Sequence, residues 1–310
     1  MKLLSKTITM AAATTLLLLS GCSEEDDKTE VTKAVVEVPA TKEVKIYFSP
    51  EVENRAINCA SNFHVGSGEA NATLKDFRMF ISEVALLNES GKKVDVTLDQ
   101  NDWQYENVAL LDFEDGTAGC AESGNTPDLR AYISGKVPEG IYSNVAFTLG
   151  VPKVINHNKY PDVKMLNHSK MDWGWQNGRK FMKLEVVAQS ENAKAWNFHL
   201  GSTDCSEDAT DESGISCNQS NRVSVVLDNF NIEMDTVKMD LGSLFQSSDV
   251  AINLGEKPGC MSFQKDPDCE QIFSRLDLPY GEETNGECKS EGCKDQALFS
   301  VKKHGIHEHN

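Results

Sequence analysis

Short apolar segments alternating with polar residues recur from Val44 to Pro279, punctuated by turn formers, and this rhythm restricts the chain to a β design. Val44, Ile46 and Phe48 alternate, residues 77–87 form a longer run, and Val94, Val96 and Leu98 alternate with polar neighbours. The last two runs flank Asn88-Glu-Ser-Gly91, a hairpin turn, so antiparallel strands with one solvated face are expected there. Further strands are expected at 108–113, 129–133, 142–149, 181–187, 195–200, 223–227 and 230–239. Two short helices fit 240–245, where Asp240 can cap, and 268–276. The expected fold is mainly β: an antiparallel β-sandwich or distorted barrel with long loops and a few short helices.

The ends read differently. Lys2 and Lys6 precede an apolar run too short to span a membrane, and Leu19-Ser-Gly-Cys22 follows. This is the pattern of a secretory leader over 1–21, and it resembles the bacterial lipobox, in which Cys22 is lipidated and anchors the chain to a membrane. Ser23 after Cys22 resembles the sorting signal for the outer rather than the inner membrane of the cell envelope. Residues 22–42 are polar and acidic and read as a flexible tether. A β domain is expected over 43–279, followed by a polar tail over 280–310 that holds one local disulfide and ends in His304, His307 and His309. The formal net charge is −18, and losing Lys2 and Lys6 with the leader leaves −20. Such a field repels nucleic acid and keeps a surface protein soluble.

Eight cysteines follow Cys22, an even set that suits disulfides in an exported chain. None has Cys-x-x-Cys spacing. Cys205 with Cys217, Cys260 with Cys269 and Cys288 with Cys293 are local pairs, and Cys59 with Cys120 is the long-range one.

The stretch 150–178 breaks the strand rhythm. It carries His157, Met165, His168 and Met171-Asp-Trp173-Gly-Trp175, and a long segment this rich in aromatic and sulfur groups is functional rather than disordered. No nucleophile elbow, P-loop, dinucleotide fingerprint or His-Glu-x-x-His is present, so the motifs do not signal an enzyme. His157, His199 and His64 are candidate metal ligands, since imidazole suits copper and zinc, and Met165 and Met171 add thioethers that favour monovalent copper. Asp112, Glu114 and Asp115 form a second candidate, a calcium site, against the alternative of a plain acidic turn.

These blocks also share an order. Trp103-Gln, Val108-Ala-Leu-Leu-Asp-Phe-Glu-Asp-Gly116, Gly150-Val-Pro152, Asn156-His157, Met171-x-Trp-x-Trp175 and His199-Leu-Gly-Ser-Thr203 together resemble the MbnP-like copper-binding family. The resemblance implies a β-rich, exported, non-catalytic protein that binds copper through histidines, with kynurenine formed from tryptophan in some members. It also implies a di-haem cytochrome c peroxidase-like partner enzyme that performs that oxidation. On this resemblance His157 and His199 are the preferred ligands. Trp103 is the first candidate for modification, with Trp173 and Trp175 as alternatives that instead line the pocket beside Met171. A structural or interaction domain of the envelope that binds no metal is the competing reading.

Overall fold

The Phe77 run lies inside a strand of 19 residues, Ala70–Asn88, the spine of the larger sheet. The computed structural model describes residues 39–121, 126–174, 176–189, 194–281 and 285–304. The leader, Cys22, most of the tether, Trp175, His307 and His309 lie outside these residues. One edge of the spine pairs with Met182–Ala188 and then with Tyr142–Leu149. The other edge pairs in turn with Asn62–Val65, Val108–Asp112 and Lys93–Asp95, so the hairpin expected at Asn88 is formed. Val223–Leu227 and Ala195–Leu200 extend the sheet on either side.

The smaller sheet orders its strands as Phe299–Lys302, Thr236–Asp240, Thr41–Val52, Tyr132–Pro138 and Thr97–Leu98. It faces the larger sheet across an apolar core, where Phe48 meets Phe147 at 5.6 Å between ring centroids and Phe147 meets Phe299 at 5.1 Å. The sandwich is therefore as expected, but its sheets are mixed rather than antiparallel. Thr41–Val52 runs parallel to Thr236–Asp240, and Gly259–Cys260 runs parallel to Asn197 and Phe198.

Two further expectations change. The tail is not merely polar: Phe299–Lys302 closes an edge of the smaller sheet, because Leu298 and Phe299 supply core that the sandwich would otherwise lack. The strand expected over 230–239 shortens to Thr236–Asp240, since Asn231 starts a turn by donating its N–H to Asp235. Both short helices form, as Leu241–Phe245 and Cys269–Arg275, and Asp240 caps the first by accepting from the Ser243 N–H at 2.8 Å. Among the described residues four disulfides close the pairs Cys59–Cys120, Cys205–Cys217, Cys260–Cys269 and Cys288–Cys293.

Strand register decides which side chains share a face. Phe147 points into the sandwich, and pairing passes that orientation through Leu149 to Ile81, and along the spine to Met79 and Phe77. Asp76 and Arg78 therefore lie on the opposite face. There Asp112, Arg78, Lys183 and His199 stand in one row across four strands, with Asp76 and Glu185 in the next row. Alternation predicts a wet face, yet all six side chains are buried. Arg78 Nε reaches Asp112 at 2.9 Å, Nη1 reaches Asp76 at 2.7 Å, and Nη2 binds Glu114. Lys183 bridges Asp76 and Glu185, the latter at 2.9 Å. Such pairing is required, because an isolated buried charge costs several kcal/mol.

The segment 150–180 lies against this row. Arg179 holds it by donating to the carbonyls of Leu166 at 3.0 Å and Asn156 at 2.7 Å, and Lys180 donates to the Lys170 carbonyl at 2.8 Å. Burial, then the cationic Arg78, pulls the His168 imidazole down to about 4.

Arg78→Leu leaves Asp112 and Glu114 without their cation and Asp76 with Lys183 alone, and is expected to cost about 3–5 kcal/mol in urea unfolding; a loss below about 1 kcal/mol would show that the row is not essential to the fold. Burial lifts the Asp112 carboxyl to about 7 against the opposing pull of Arg78. A carboxyl raised in the folded state binds more protons there than when unfolded, so Asp112 makes stability fall as pH rises from about 4 to about 7. Asp112→Asn should flatten that part of the stability–pH curve, and an unchanged slope would assign it to another group.

Candidate metal centre

His157 ends the short helix Lys153–His157, which starts at Pro152 just after Gly150. Gly150 takes φ +148°, and Pro152 suits a helix start because the N–H it lacks would have no partner in the helix. Next to the helix stands a two-stranded hairpin, Thr203–Glu207 with Ile215–Gln219, in which Cys205 and Cys217 are direct cross-strand partners joined by their disulfide. Lys153 forms an ion pair with Asp211 in the hairpin loop. His157 Nε2 lies 3.4 Å from Cys217 Sγ. Donor atoms of His157, Cys205 and Cys217 all fall within 4.8 Å of one another, the one such group of three among the described residues.

The tautomer of His157 follows from its neighbour. Asn156 Oδ1 accepts the Arg179 N–H at 2.8 Å, which turns Nδ2 of the same amide toward His157 Nε2 at 3.1 Å. An amide nitrogen only donates, so Nε2 carries the lone pair and is the nitrogen able to bind a metal. Gly178 is needed here: at φ +70° it brings the backbone so close that a Cβ would lie 2.4 Å from Asn156 Nδ2.

His199 is held differently. It sits in Ala195–Leu200, at the end of the charged row, and its Nε2 meets Glu185 Oε1 at 2.8 Å. Burial lowers the His199 pKa although Glu185 pulls the other way, so the ring is neutral near neutral pH, with Nε2–H donating to the carboxylate. Burial opposes the charge on Glu185, but His199 and Lys183 together bring its carboxyl down to about 2. Nδ1 of His199 has no hydrogen-bond partner among the described residues and is the nitrogen left for a ligand. This is the carboxylate–imidazole pairing that orients metal-bound histidines.

Trp173 joins the two parts. Its N–H donates to the Gly178 carbonyl at 2.9 Å, and its ring lies so near Gly201 that a Cβ there would stand 2.5 Å from Cζ3. Gln176 donates to the Cys205 carbonyl at 2.9 Å, and Met171 is buried beneath the same loop. The helix with His157, the loop with Trp173 and the strand end after His199 thus converge on one corner of the larger sheet.

The remaining candidates lie elsewhere. Trp103 is half-buried on the turn 101–104, where its N–H donates to Asn101 Oδ1 at 2.8 Å. His64 is exposed on the edge strand Asn62–Val65 and joins no group of three donors among the described residues. The calcium expectation is corrected, because Arg78 occupies the place given to the ion: Asp112 and Glu114 bind its guanidinium, and Asp115 accepts from Thr117. Glu185 is not among the residues the sequence singles out: alternation puts it on one face with Lys183, but its place opposite Asp76 and beside His199 comes from strand pairing. His168, whose buried Nδ1 has no hydrogen-bond partner, gave no signal beyond its presence in the aromatic loop.

The family model MbnP matches residues 41–262. Among solved structures, MbnP from Methylosinus trichosporium is similar with a TM-score of 0.76 and 31% identity, covering 86% of this chain and 100% of that one. No curated protein gives a significant match.

Gly201→Ala drives a methyl group into Trp173, so the loop must shift; a stability loss of about 1–3 kcal/mol is expected, together with a changed tryptophan fluorescence spectrum. The spectral change should vanish in a Trp173→Phe background. Its persistence there would place the disturbance at another tryptophan.

Proposed function

The chain belongs to the MbnP family, and on that premise we propose that it is a non-catalytic copper-binding protein of the bacterial cell envelope that holds copper or hands it on. The observation that supports this reading is the packing of the Trp173 loop against Gly201, just past the strand of His199, and of Gly178 in the same loop against Asn156 beside His157. The donor set fits copper. Two imidazoles suit a borderline-to-soft ion: His199 is held through Nε2 by Glu185, and His157 presents Nε2 to the Asn156 amide. His157 would bind through Nε2 and His199 through Nδ1. Glu185 would keep the His199 ring oriented, and Asn156 would yield its contact to the incoming ion. Copper, if bound there, would supply the affinity, and the chain would hold the rings under the loop.

Lipidation at Cys22 would tether the domain to a membrane, the outer one by the Ser23 signal. One tryptophan would be converted to kynurenine by a di-haem cytochrome c peroxidase-like enzyme, with Trp103, Trp173 and Trp175 as the candidates. Trp173, already against Gly201, is the described tryptophan whose alteration would act directly on the proposed site.

Protein purified from its native envelope should retain one equivalent of copper per chain through gel filtration. The His157→Ala/His199→Ala double variant should lose it, and Glu185→Gln should weaken binding about 10–100-fold without unfolding the protein. Full copper retention in the double variant rejects these ligands, and native protein free of copper favours an envelope scaffold that binds no metal.

A further inference from the structure

The Cys205–Cys217 disulfide differs from the other three in two independent ways. Both of its cysteines are partly exposed, whereas each other pair includes at least one fully buried cysteine. Cys205 also lines an open groove of about 560 Å³ with Asn177, Thr203, Asp204 and Phe263, so a reductant can approach it. Second, a histidine faces it: His157 Nε2 lies 3.4 Å from Cys217 Sγ. Partly exposed disulfides are the reducible ones, and thiolates select soft ions.

We propose that reduction of Cys205–Cys217 converts this corner into a three-donor site, Cys205 Sγ, Cys217 Sγ and His157 Nε2, for a thiophilic ion such as monovalent copper or zinc. The step is a thiol–disulfide exchange with a dithiol reductant. Two electrons and two protons pass to the cystine, the S–S bond breaks, and the reductant leaves as its own disulfide. Metal binding then releases the two thiol protons.

The distances suit the change. An ion bonded at about 2.3 Å to sulfur and about 2.0 Å to nitrogen sets S and N roughly 3.5 Å apart and the two sulfurs roughly 3.8 Å apart in a tetrahedral array. The nitrogen already stands at the first spacing from Cys217, so only the sulfurs need to part. The hairpin does not depend on the disulfide alone. Cross-strand pairing joins its arms, and the Lys153–Asp211 ion pair and the Gln176 contact tie it to the rest of the domain. A site with three protein donors leaves one position open, which suits transfer rather than storage. The inference stands apart from copper carriage by the oxidised protein, because it requires thiolates that the oxidised protein lacks.

The test begins with limited anaerobic reduction of the full chain, then removal of the reductant, with alkylation of a sample to locate free thiols by peptide mass. Cys205 and Cys217 should be labelled before the other six disulfide-bonded cysteines. The reduced protein should bind one Cd(II) with thiolate-to-metal charge-transfer absorption, and should hold Cu(I) against a chelator at least tenfold more tightly than the oxidised protein. Alkylated protein and a Cys205→Ser/Cys217→Ser variant should lack the absorption, and His157→Ala should keep it with weaker binding. Circular dichroism checks that each form stays folded, and the alkylated form substitutes for the double variant if that variant does not. Labelling of the buried pairs first, or reduced protein without charge-transfer absorption, overturns the proposal. Neither result bears on whether the oxidised protein binds copper through His157 and His199.

Discussion

Arg78 is the interaction on which the larger sheet depends. Its guanidinium sends one arm to each of three carboxylates, Asp76 on its own strand, Asp112 on the neighbouring strand and Glu114 just beyond it. A planar, permanently charged fork can satisfy several carboxylates at once, and lysine could not replace it in that geometry. With the carboxylates neutralised, a row of charged groups can be buried on the face of the sheet turned away from the sandwich core. Burial of that row in turn requires a cover. The segment 150–180 is the cover, and most of the candidate site is built from it.

That arrangement explains how a stretch with little regular secondary structure can present ligands rigidly. Arg179 donates to carbonyls along the segment, Asn156 receives the Arg179 N–H, and Trp173 is held through the Gly178 carbonyl. Each backbone group fixed in this way limits the rotation of the side chains beside it. Fixed donor rings lose little entropy when an ion arrives, which is the condition for a tight and selective site.

Much of the fold is legible in the sequence because its signals are local. Alternation at Val44, Ile46 and Phe48 marks one strand, Asn88-Glu-Ser-Gly91 marks a hairpin, and Asp240 marks a helix start. The parallel pairing of Thr41–Val52 with Thr236–Asp240 is not legible, since it joins segments nearly two hundred residues apart and no local rule favours it over an antiparallel neighbour. The charged row is misread for a related reason. Alternation separates two faces of a strand without saying whether the polar one meets water or a cover, so Asp112 and Glu114 look like ion ligands until Arg78 is found among them. His157 and His199 are legible only through the motifs around them, whereas the neighbour that fixes each ring lies on another element or depends on one. Glu185 comes from the strand paired with that of His199, and Arg179, 23 residues on, orients Asn156 toward His157.

The two histidines are also set in different electrostatic surroundings, and this bears on the charge of any ion they would share. His199 feels Lys180 and Lys183 as well as Glu185, and Glu185 already pairs with Lys183. An ion arriving at Nδ1 would meet a Glu185 carboxylate already paired with Lys183, so less of it would be left to offset the repulsion from Lys180. The repulsion scales with the charge of the ion, so a monovalent ion loses half as much as a divalent one at the same distance. The net charge of −18 draws cations of either valence toward the domain, whereas Lys180 beside His199 would favour the lower charge at that nitrogen. Low charge and nitrogen donors in a half-dry corner are conditions that monovalent copper meets and that calcium or magnesium, which need several oxygen ligands, do not.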